Sequence, residues 1–474
     1  MLRTPTRSSI LLLSLISCLG AAGCGSAATS SSGAPPGSTS DAGSQGDAGS
    51  TTDPLLEAGV TIDKANVPLD PPTSSELAAA VAQNNAFALA LYGQVAPTVS
   101  GGNLITSPLS ASLALTMTYA GAQGQTATQM AQVLALGDDA GSPFDAQNAL
   151  VQEMATNVAG AFTADQRSSP GTPPSQSDYV LTIVNSVWGD KTYSWASPFL
   201  DVLAASYGTG VYLEDFVGSP SVAESTINEW VSYETDDKIN NLLPPNAITN
   251  DTRIVLVNAI HLKLPWAQPF QASSTMSGTF TRGDGSAVTA SFMNEGLLTG
   301  YAQTADAQVV SLPLANGALS VLLVMPAGSL SSLVSSLTPA TWAALTALEP
   351  AGVSLSMPKF DFTSPSFSLA AALEALGMTS AFDPTAADFE GLCASTPDGD
   401  NIYIADVLQK ATMTAEETGV EAAAATAVIG VGSAAPAKQV TLTFDHPFLV
   451  AIVDASGAIV FLGQIDDPTA TGSP

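Results

Sequence analysis

Residue types that commonly do catalysis are sparse in this chain of 474 residues. It contains two histidines, His261 and His446, which lie 185 positions apart, and three cysteines. The HExxH, paired CxxC, GxSxG and Walker-type motifs are all absent from the sequence. Because those motifs supply the metal ligands, nucleophiles and phosphate-binding loops of common enzymes, we expect no enzymatic activity, no cofactor and no metal site.

The remaining single motifs have plain structural interpretations. The histidines stand in "NAIHLKLPW" and "FDHPF", contexts typical of hydrogen-bonded structural residues. The stretch "TRGDGS" at 281–286 contains the tripeptide that integrins bind, but its Gly-Asp-Gly favours a hairpin turn. Cys18 and Cys24 belong to the N-terminal segment, so Cys393 has no partner for a disulfide. We expect it to be a buried structural thiol.

The charge balance restricts the partners. The net charge is −30, with 12 Lys and Arg against 42 Asp and Glu. Contacts to phosphate or sulfate groups need Lys and Arg, so nucleic acids and heparin-like polyanions are disfavoured as partners. The composition is typical of a soluble, acidic, exported protein, and we expect a monomer.

The N-terminus predicts export. Arg3 and Arg7 precede an apolar run over 10–19, which is too short to span a bilayer as a helix. The following "AAGC" at 21–24 resembles the lipobox of bacterial lipoproteins, in which the Cys is acylated and becomes the mature N-terminus. The alternative is ordinary signal cleavage near Ala22 and secretion. We therefore expect a signal peptide over 1–23 and lipid attachment at Cys24 on a bacterial cell membrane or cell surface.

Composition then separates a tether from one folded domain. Residues 24–72 are rich in Gly, Ser, Ala and Asp and cannot bury enough apolar surface to fold, so they predict a disordered tether. No linker breaks residues 73–470, which predicts a single domain. Helical periodicity occurs in 74–95, 107–122 and 126–136, while strand-like runs fill the C-terminal half. This order predicts an α+β fold.

Eight segments in one order carry a family resemblance. The segments are "NLITSPLSASLALTMTYAGAQGQTATQM" (103–130), "NSVWGD" (185–190), "INEWVSYETDDKINNLLP" (227–244), "LVNAIHLKLPWAQPF" (256–270), "MPKFDF" (357–362), "EETGVEAAAATA" (416–427), "FDHPFLVAI" (444–452) and "FLGQIDDP" (461–468). Together they resemble the serpins, a family of serine protease inhibitors, over nearly all of 73–470. The resemblance implies N-terminal helices packed on three β-sheets, with an exposed reactive-centre loop at about 417–438.

The resemblance also implies a mechanism for that loop. A target protease would cleave it, and the loop would then insert as a new strand into the largest sheet together with the acylated protease. The implied hinge consists of Glu417, Gly419, Val420, Glu421, Ala422, Ala423, Ala424, Ala425 and Thr426. Strand alternation places Val420, Ala422, Ala424, Thr426 and Val428 on one small, nearly apolar face, and Glu421 on the other. No Pro interrupts this stretch.

The family spacing predicts the cleaved bond. About fourteen residues after Gly419 lies Ser433-Ala434, with Val431-Gly432 and Ala434-Ala435 as rivals. All these residues are small, and no Arg or Lys lies between Glu421 and Lys438. We therefore expect a target with a shallow pocket, such as an elastase-like or subtilisin-like protease.

Other positions match the region where the family's sheet opens. Ser107, Ser110 and Asn258 match a polar cluster, in which Gln409 stands where the family usually has His. Trp266 and the pair of Lys359 and Glu417 match the upper end of the sheet, where insertion would start. We expect that pair to hold the base of the loop until cleavage.

Two functions stay open. The first is a suicide inhibitor of serine proteases, tethered outside a bacterial cell. The alternative is a non-inhibitory serpin that acts as a surface binding or structural protein. The hinge lacks the Pro, charged or bulky residues usual in non-inhibitory members, except that Val420 stands where Thr or Ser is usual. The sequence therefore favours the inhibitor.

Overall fold

The computed structural model describes residues 59–71, 74–99, 101–137, 142–168, 174–395, 401–420 and 438–472. Four predicted features lie outside these ranges: the signal peptide, Cys24, most of the tether, and residues 421–437. The last segment includes the predicted reactive bond Ser433-Ala434 and the hinge residues from Glu421 to Thr426.

Helices occupy mainly the N-terminal half. The α-helices in the described ranges are Ser74–Val95 (α1), Pro108–Tyr119 (α2), Gly124–Val133 (α3), Pro143–Ser168 (α4), Ser197–Tyr207 (α5), Pro220–Glu234 (α6), Leu330–Ser335 (α7), Pro339–Leu345 (α8) and Ala370–Leu376 (α9). The first three fall where the periodicity predicts them. Helix α2 begins at Pro108 because the Ser107 hydroxyl accepts a hydrogen bond from the Ser110 amide at 3.4 Å, which caps the helix. No helix in the described ranges is long and apolar enough to cross a membrane.

Strands dominate the rest. They are Thr61–Asp63 (β1), Leu104–Thr106 (β2), Val180–Asp190 (β3), Ser194–Trp195 (β4), Val211–Glu214 (β5), Ile254–Pro265 (β6), Met276–Thr281 (β7), Ala287–Gln303 (β8), Ala307–Leu314 (β9), Leu319–Pro326 (β10), Glu349–Pro358 (β11), Phe360–Thr363 (β12), Phe367–Ser368 (β13), Cys393–Ser395 (β14), Leu408–Gln409 (β15), Thr412–Ala415 (β16), Gly419–Val420 (β17), Gln439–Thr443 (β18), Phe448–Asp454 (β19) and Ile459–Ile465 (β20).

One sheet, which we call sheet A, contains the base of the predicted loop. Its order is β1-β5-β3-β6-β17-β16-β12. β3 and β5 run parallel, while the other pairs are antiparallel. β17 therefore lies between β6 and β16 as a short strand that ends where residues 421–437 begin.

The other large sheet has the order β18-β11-β8-β9-β10-β19-β20-β2, with β7 on β8. β8 is 17 residues long: its first part pairs with β7 and β11, and its last residues pair with β9. This long strand divides the sheet into two parts, which with sheet A make three principal sheets. The predicted α+β fold with three sheets is confirmed. "TRGDGS" forms the hairpin turn between β7 and β8, in which the Arg282 side chain pairs with Asp467 at 2.6 Å.

An apolar cluster fills the space between sheet A on one side and α6 on the other. The segment that follows α6 also contributes to this cluster. Trp188 of β3 stacks on Tyr212 at 4.9 Å and meets Trp230 of α6 edge-on at 5.4 Å. Val257 and Ala259 of β6 belong to the same buried cluster. One face of β6 is therefore covered at this level.

The folded part begins before residue 73, where the sequence places its start. Thr61–Asp63 pairs antiparallel with β5 and adds an edge strand to sheet A. The Asp70 amide donates to the Ala205 carbonyl at 2.7 Å, and the Asn148 side chain donates to the Asp70 carbonyl at 2.9 Å. In these contacts it is the backbone of the segment that bonds to a sheet edge and to helices, so the composition of its side chains does not reveal them.

Candidate functional site at the opening of sheet A

A hairpin leads from β16 into the predicted reactive loop. The Glu416 amide donates to the Gly419 carbonyl at 3.0 Å, and the Gly419 amide donates back to the Glu416 carbonyl at 3.3 Å. Val420 then pairs with Ala415 of β16 on one side and with Leu264 of β6 on the other. Gly419 and Val420, two of the predicted hinge residues, therefore already form a strand inside sheet A.

Val420 faces the core. Its exposed fraction is 2%, and it belongs to the same buried cluster as Leu264 and Ala415. Val is β-branched and apolar, so it suits a buried strand position at which Thr or Ser is usual in the family. The one predicted hinge residue that differs from the usual Thr or Ser of the family is thus fully enclosed.

Glu417 anchors the turn of this hairpin. Its carboxylate lies 2.7 Å from the Lys359 ammonium and accepts a second hydrogen bond from the Thr275 hydroxyl at 2.8 Å. Burial alone would raise the pKa of Glu417, but the bonds from Lys359 and Thr275 outweigh it and hold the pKa below its ordinary value. The carboxylate is therefore held in its charged form.

Trp266 and Phe270 fix the backbone of the same turn. The Trp266 indole donates to the Glu416 carbonyl at 2.7 Å, and the Trp266 amide donates to the Thr418 carbonyl at 3.1 Å. The Phe270 amide donates to the Glu417 carbonyl at 2.8 Å. Three consecutive carbonyls of the turn are thus satisfied by the segment that follows β6.

The predicted polar cluster lies farther down the sheet. The Gln409 side chain donates to the Asn258 side-chain oxygen at 3.1 Å and to the Ser107 carbonyl at 2.8 Å. Its own oxygen accepts from the Ser107 amide at 3.1 Å. Gln409 and Asn258 are each 1% exposed. Gln409 therefore links β6 to the start of α2 through neutral hydrogen bonds.

Asn185 of β3 completes this cluster. Its side-chain oxygen accepts from the Ser110 hydroxyl at 3.0 Å and from the Asn258 amide at 3.2 Å. Asn185 lies in the segment "NSVWGD", whose sequence does not mark it as a member of the cluster. Asn185 joins the cluster because the register of β3 against β6 pairs it with Asn258, and this register cannot be read from the sequence.

Lys410 lies next to Gln409 and is a second residue that sequence reasoning missed. It is 5% exposed, and its ammonium donates to the Asn240 carbonyl at 2.8 Å. Burial lowers its pKa. Asn240 belongs to the segment between α6 and β6, so Lys410 ties that segment to the strand on the other side of β17.

The far end of the loop is fixed as well. The Gly352 amide donates to the Lys438 carbonyl at 2.9 Å, and β18 continues from there in parallel with β11. The Lys438 ammonium lies 4.4 Å from the centre of the Tyr301 ring. Residues 421–437 are therefore held at both ends by ordered strands.

Cys393 stands apart from this region, in β14 opposite Trp195. It is half-buried, and burial raises the pKa of its thiol to about 12. At neutral pH the thiol is protonated and therefore a weak nucleophile.

A sequence profile described as "Serpin (serine protease inhibitor)" matches residues 82–468. Human Serpin B10 is 30% identical over 400 residues, which cover 81% of this chain and 98% of that protein. Human leukocyte elastase inhibitor is 29% identical over 399 residues, with coverages of 81% and 98%.

Solved structures give the same result for the fold. The native-state crystal structure of the thermophilic serpin Tengpin matches with a TM-score of 0.69 and 26% identity, covering 85% of this chain and 97% of Tengpin. A tumour-suppressing serpin matches with a TM-score of 0.72 and 22% identity, covering 83% and 100%. At that identity the second likeness concerns the fold alone.

Proposed function

The chain belongs to the serpin family, and we propose that it inhibits a serine protease by covalent trapping, with residues 421–437 as the bait. Serpins are in general protease inhibitors rather than catalysts, and the relative named leukocyte elastase inhibitor is one example. The observation that carries the proposal is the position of β17. The bait starts from a strand that already lies between β6 and β16, the position that an inserting loop would extend.

The proposed reaction uses the chemistry of the target. The serine hydroxyl of the protease attacks the carbonyl of Ser433, an ester forms, and the amine of Ala434 leaves with the proton from the protease's general base. The freed end of residues 421–433 then extends β17 along β6. Insertion moves the acylated protease away from the loop's starting position before water can cleave the ester.

The target pocket is proposed to be shallow. Every candidate for the cleaved bond presents Ser, Ala, Gly or Val, which bury little apolar area in a large pocket. An elastase-like or subtilisin-like protease fits these residues. The name of the human leukocyte elastase inhibitor is consistent with such a target.

We also propose export followed by lipid attachment at Cys24, on the N-terminal pattern described above. Two or three acyl chains at about 0.8 kcal/mol per buried methylene would hold the protein at a membrane surface. Mass spectrometry of the mature N-terminus tests this. An unmodified N-terminus at another residue would refute the lipid attachment, and so would a Cys24→Ser variant that stays membrane-bound.

A protease panel tests the inhibitor itself. The purified protein is mixed with elastase-like, subtilisin-like and trypsin-like proteases, and adducts that survive SDS are sought by electrophoresis and mass spectrometry. We expect an adduct of the small-pocket proteases at Ser433 or within two residues of it. Cleavage of the loop by all of them without any adduct would favour the non-inhibitory alternative.

A further inference from the structure

A cavity of about 270 Å³ lies between the end of α1, the start of β2 and helix α9. Its wall includes Val95 and Leu104, which are 4% and 3% exposed, and the half-buried ring of Phe367. Protein interiors are packed so closely that few spaces exceed the size of a water molecule. A cavity of this size therefore needs a cause in the sequence.

Three alanines of α9 leave this space open. Ala371, Ala372 and Ala375 line the cavity, whereas Leu369, just before the helix, and Leu373 within it are fully buried in the core. The leucines thus fix α9 to the domain, and the alanine side chains are too short to fill the space beside α1. A larger side chain at any of the three alanine positions would occupy the cavity.

The buried polar side chains of the wall already have partners within the protein. The Asn103 side chain donates to the Asp467 carbonyl at 2.7 Å, and its oxygen accepts from the amides of Asp466 and Asp467 at 2.7 and 2.8 Å. The Ser364 hydroxyl donates to the Ile105 carbonyl at 2.9 Å. A ligand is therefore not required to satisfy these groups, and it meets mainly carbon atoms.

The charge of the wall disfavours ionic ligands. None of the described side chains that line the cavity is Lys, Arg, Asp or Glu. An ion would lose part of its hydration there without gaining a charged partner, and an anion would also meet a chain of net charge −30. The exposed Gln94 is a neutral amide at the cavity that can both donate and accept a hydrogen bond.

We propose that this cavity binds an uncharged, largely apolar small molecule about as large as two fused aromatic rings. An engineered apolar cavity of about 150 Å³ binds one benzene molecule, and the cavity beside α9 has nearly twice that volume. The ligand supplies dispersion contacts to the apolar wall, and Gln94 meets its neutral polar group. None of the lining residues belongs to the candidate site at the opening of sheet A, so the inference does not depend on the proposed function.

A matched pair of probes tests the site on the full-length protein. The amide 2-naphthamide and the acid 2-naphthoate have nearly the same shape, but only 2-naphthoate is charged at neutral pH. Binding is measured by isothermal titration calorimetry and by the shift in the thermal midpoint. We expect 2-naphthamide to bind with one-to-one stoichiometry and to raise the midpoint. The affinity of 2-naphthoate should be lower by about tenfold or more.

Filling variants locate the binding. Ala372→Phe places a ring in the cavity, so it should weaken the binding of 2-naphthamide by about tenfold or more. Ala375→Phe is a second filling variant at an exposed position, where a large side chain is tolerated more easily than at the half-buried Ala372. The control is Ala344→Phe, which adds the same ring to an exposed position of α8 outside the cavity and should bind 2-naphthamide as wild type does.

Each result either supports the site or rejects it. Failure of 2-naphthamide to bind the wild type would overturn the site, and so would an unchanged affinity in the filling variants or an equal loss in Ala344→Phe. Equal affinities for the two probes would overturn the preference for an uncharged ligand. Protease trapping is measured independently in the panel described above, so the failure of either proposal leaves the other standing.

Discussion

At the scale of single residues, the base of the loop depends on Glu417. This carboxylate is tied to a strand residue, Lys359, and to a loop residue, Thr275, while the neighbouring Glu416 is exposed. The resemblance to serpins supplies the pair of Glu417 and Lys359. It does not supply Thr275, because that contact depends on how the segment after β6 folds back over the hairpin.

A pH series tests Glu417. Its pKa in the folded protein is lowered, so its stabilising contribution is present above the ordinary Glu pKa and is lost as the pH falls through the folded value. We expect Glu417→Gln to lower the unfolding free energy by about 1 kcal/mol at pH 7, because the pair is partly exposed. The difference from wild type should shrink towards pH 3. Denaturant unfolding at several pH values measures it.

The matched control for that series is Glu416→Gln, which removes the adjacent exposed carboxylate and leaves its backbone contacts in place. It should unfold as wild type does over the whole pH range. If both variants show the same pH dependence, the effect belongs to general charge and not to the anchored side chain.

At the scale of elements, boundaries were predictable where local signals are strong. α1 matches the predicted 74–95 because its apolar spacing is regular, and α2 starts at Pro108 because Ser107 caps it. The sequence did not predict α4. Asn, Thr and Gly, which are weak helix formers, interrupt its alanines. Packing against α1 and α5 contributes to its stability.

The same limit applies to the candidate site. Ser107, Asn258 and Gln409 were identified by family position, and the structure brings them into contact. Asn185 and Lys410 were not identified. The register of β3 against β6 places Asn185, and a hydrogen bond to the segment between α6 and β6 places Lys410. Composition and periodicity carry neither kind of information.

A residue swap tests the two faces of the hinge. Val420 pairs with Leu264 and Ala415, so a strand that extended β17 in the same register would bring residue 422 opposite Leu262 and Met413, which are 5% and 3% exposed. The double variant Glu421→Ala with Ala422→Glu keeps the composition and the charge but moves the carboxylate to the core face. A buried unpaired carboxylate opposes insertion strongly. We expect the number of inhibitor molecules consumed per trapped protease to rise several-fold.

The single variant Glu421→Ala is the control for that swap. It removes the outer carboxylate without burying a charge, so its stoichiometry should stay close to wild type. Position 423 would be a poor control, since the same extension of β17 would bring it opposite His261, which is only 2% exposed. Equal loss in the swap and the single variant would show that the face assignment is wrong.

A truncation series tests the early edge strand β1. A chain that begins at residue 74 lacks the pairing of Thr61–Asp63 with β5 and the bonds around Asp70, whereas a chain that begins at residue 59 retains them. We expect the shorter chain to have the lower denaturant midpoint, because its β5 edge loses its partners. Equal midpoints would mean that β1 contributes nothing measurable to the domain.

At the scale of the whole molecule, the fold was predictable because eight segments occur in one order, and no single segment would have sufficed. The order of these segments does not reveal how far the central strands of sheet A are separated. Val420 is already enclosed between β6 and β16, while Leu256 and Val407 are in direct contact farther down. β17 thus separates β6 from β16 at the upper end of the sheet, while farther down the strands on its two sides contact each other directly. That state results from packing across the whole domain, not from any local sequence.

Cleavage of the loop tests whether this partly entered sheet can be filled. If the chain is cut between residues 430 and 437, the proposed function predicts that the freed strand extends β17, pairs its backbone with both neighbours and buries its small face. A whole added strand stabilises far more than a single contact, so the thermal midpoint should rise by on the order of ten degrees or more. The measurement is a melting curve before and after limited cleavage by a protease that is not trapped, with the cut site verified by mass spectrometry. The control is a cut N-terminal to Gly59, which leaves both ends of the loop attached and should not shift the midpoint. If cleavage in the loop leaves the midpoint unchanged, the sheet does not accept the strand, and covalent trapping by loop insertion could not operate in this protein.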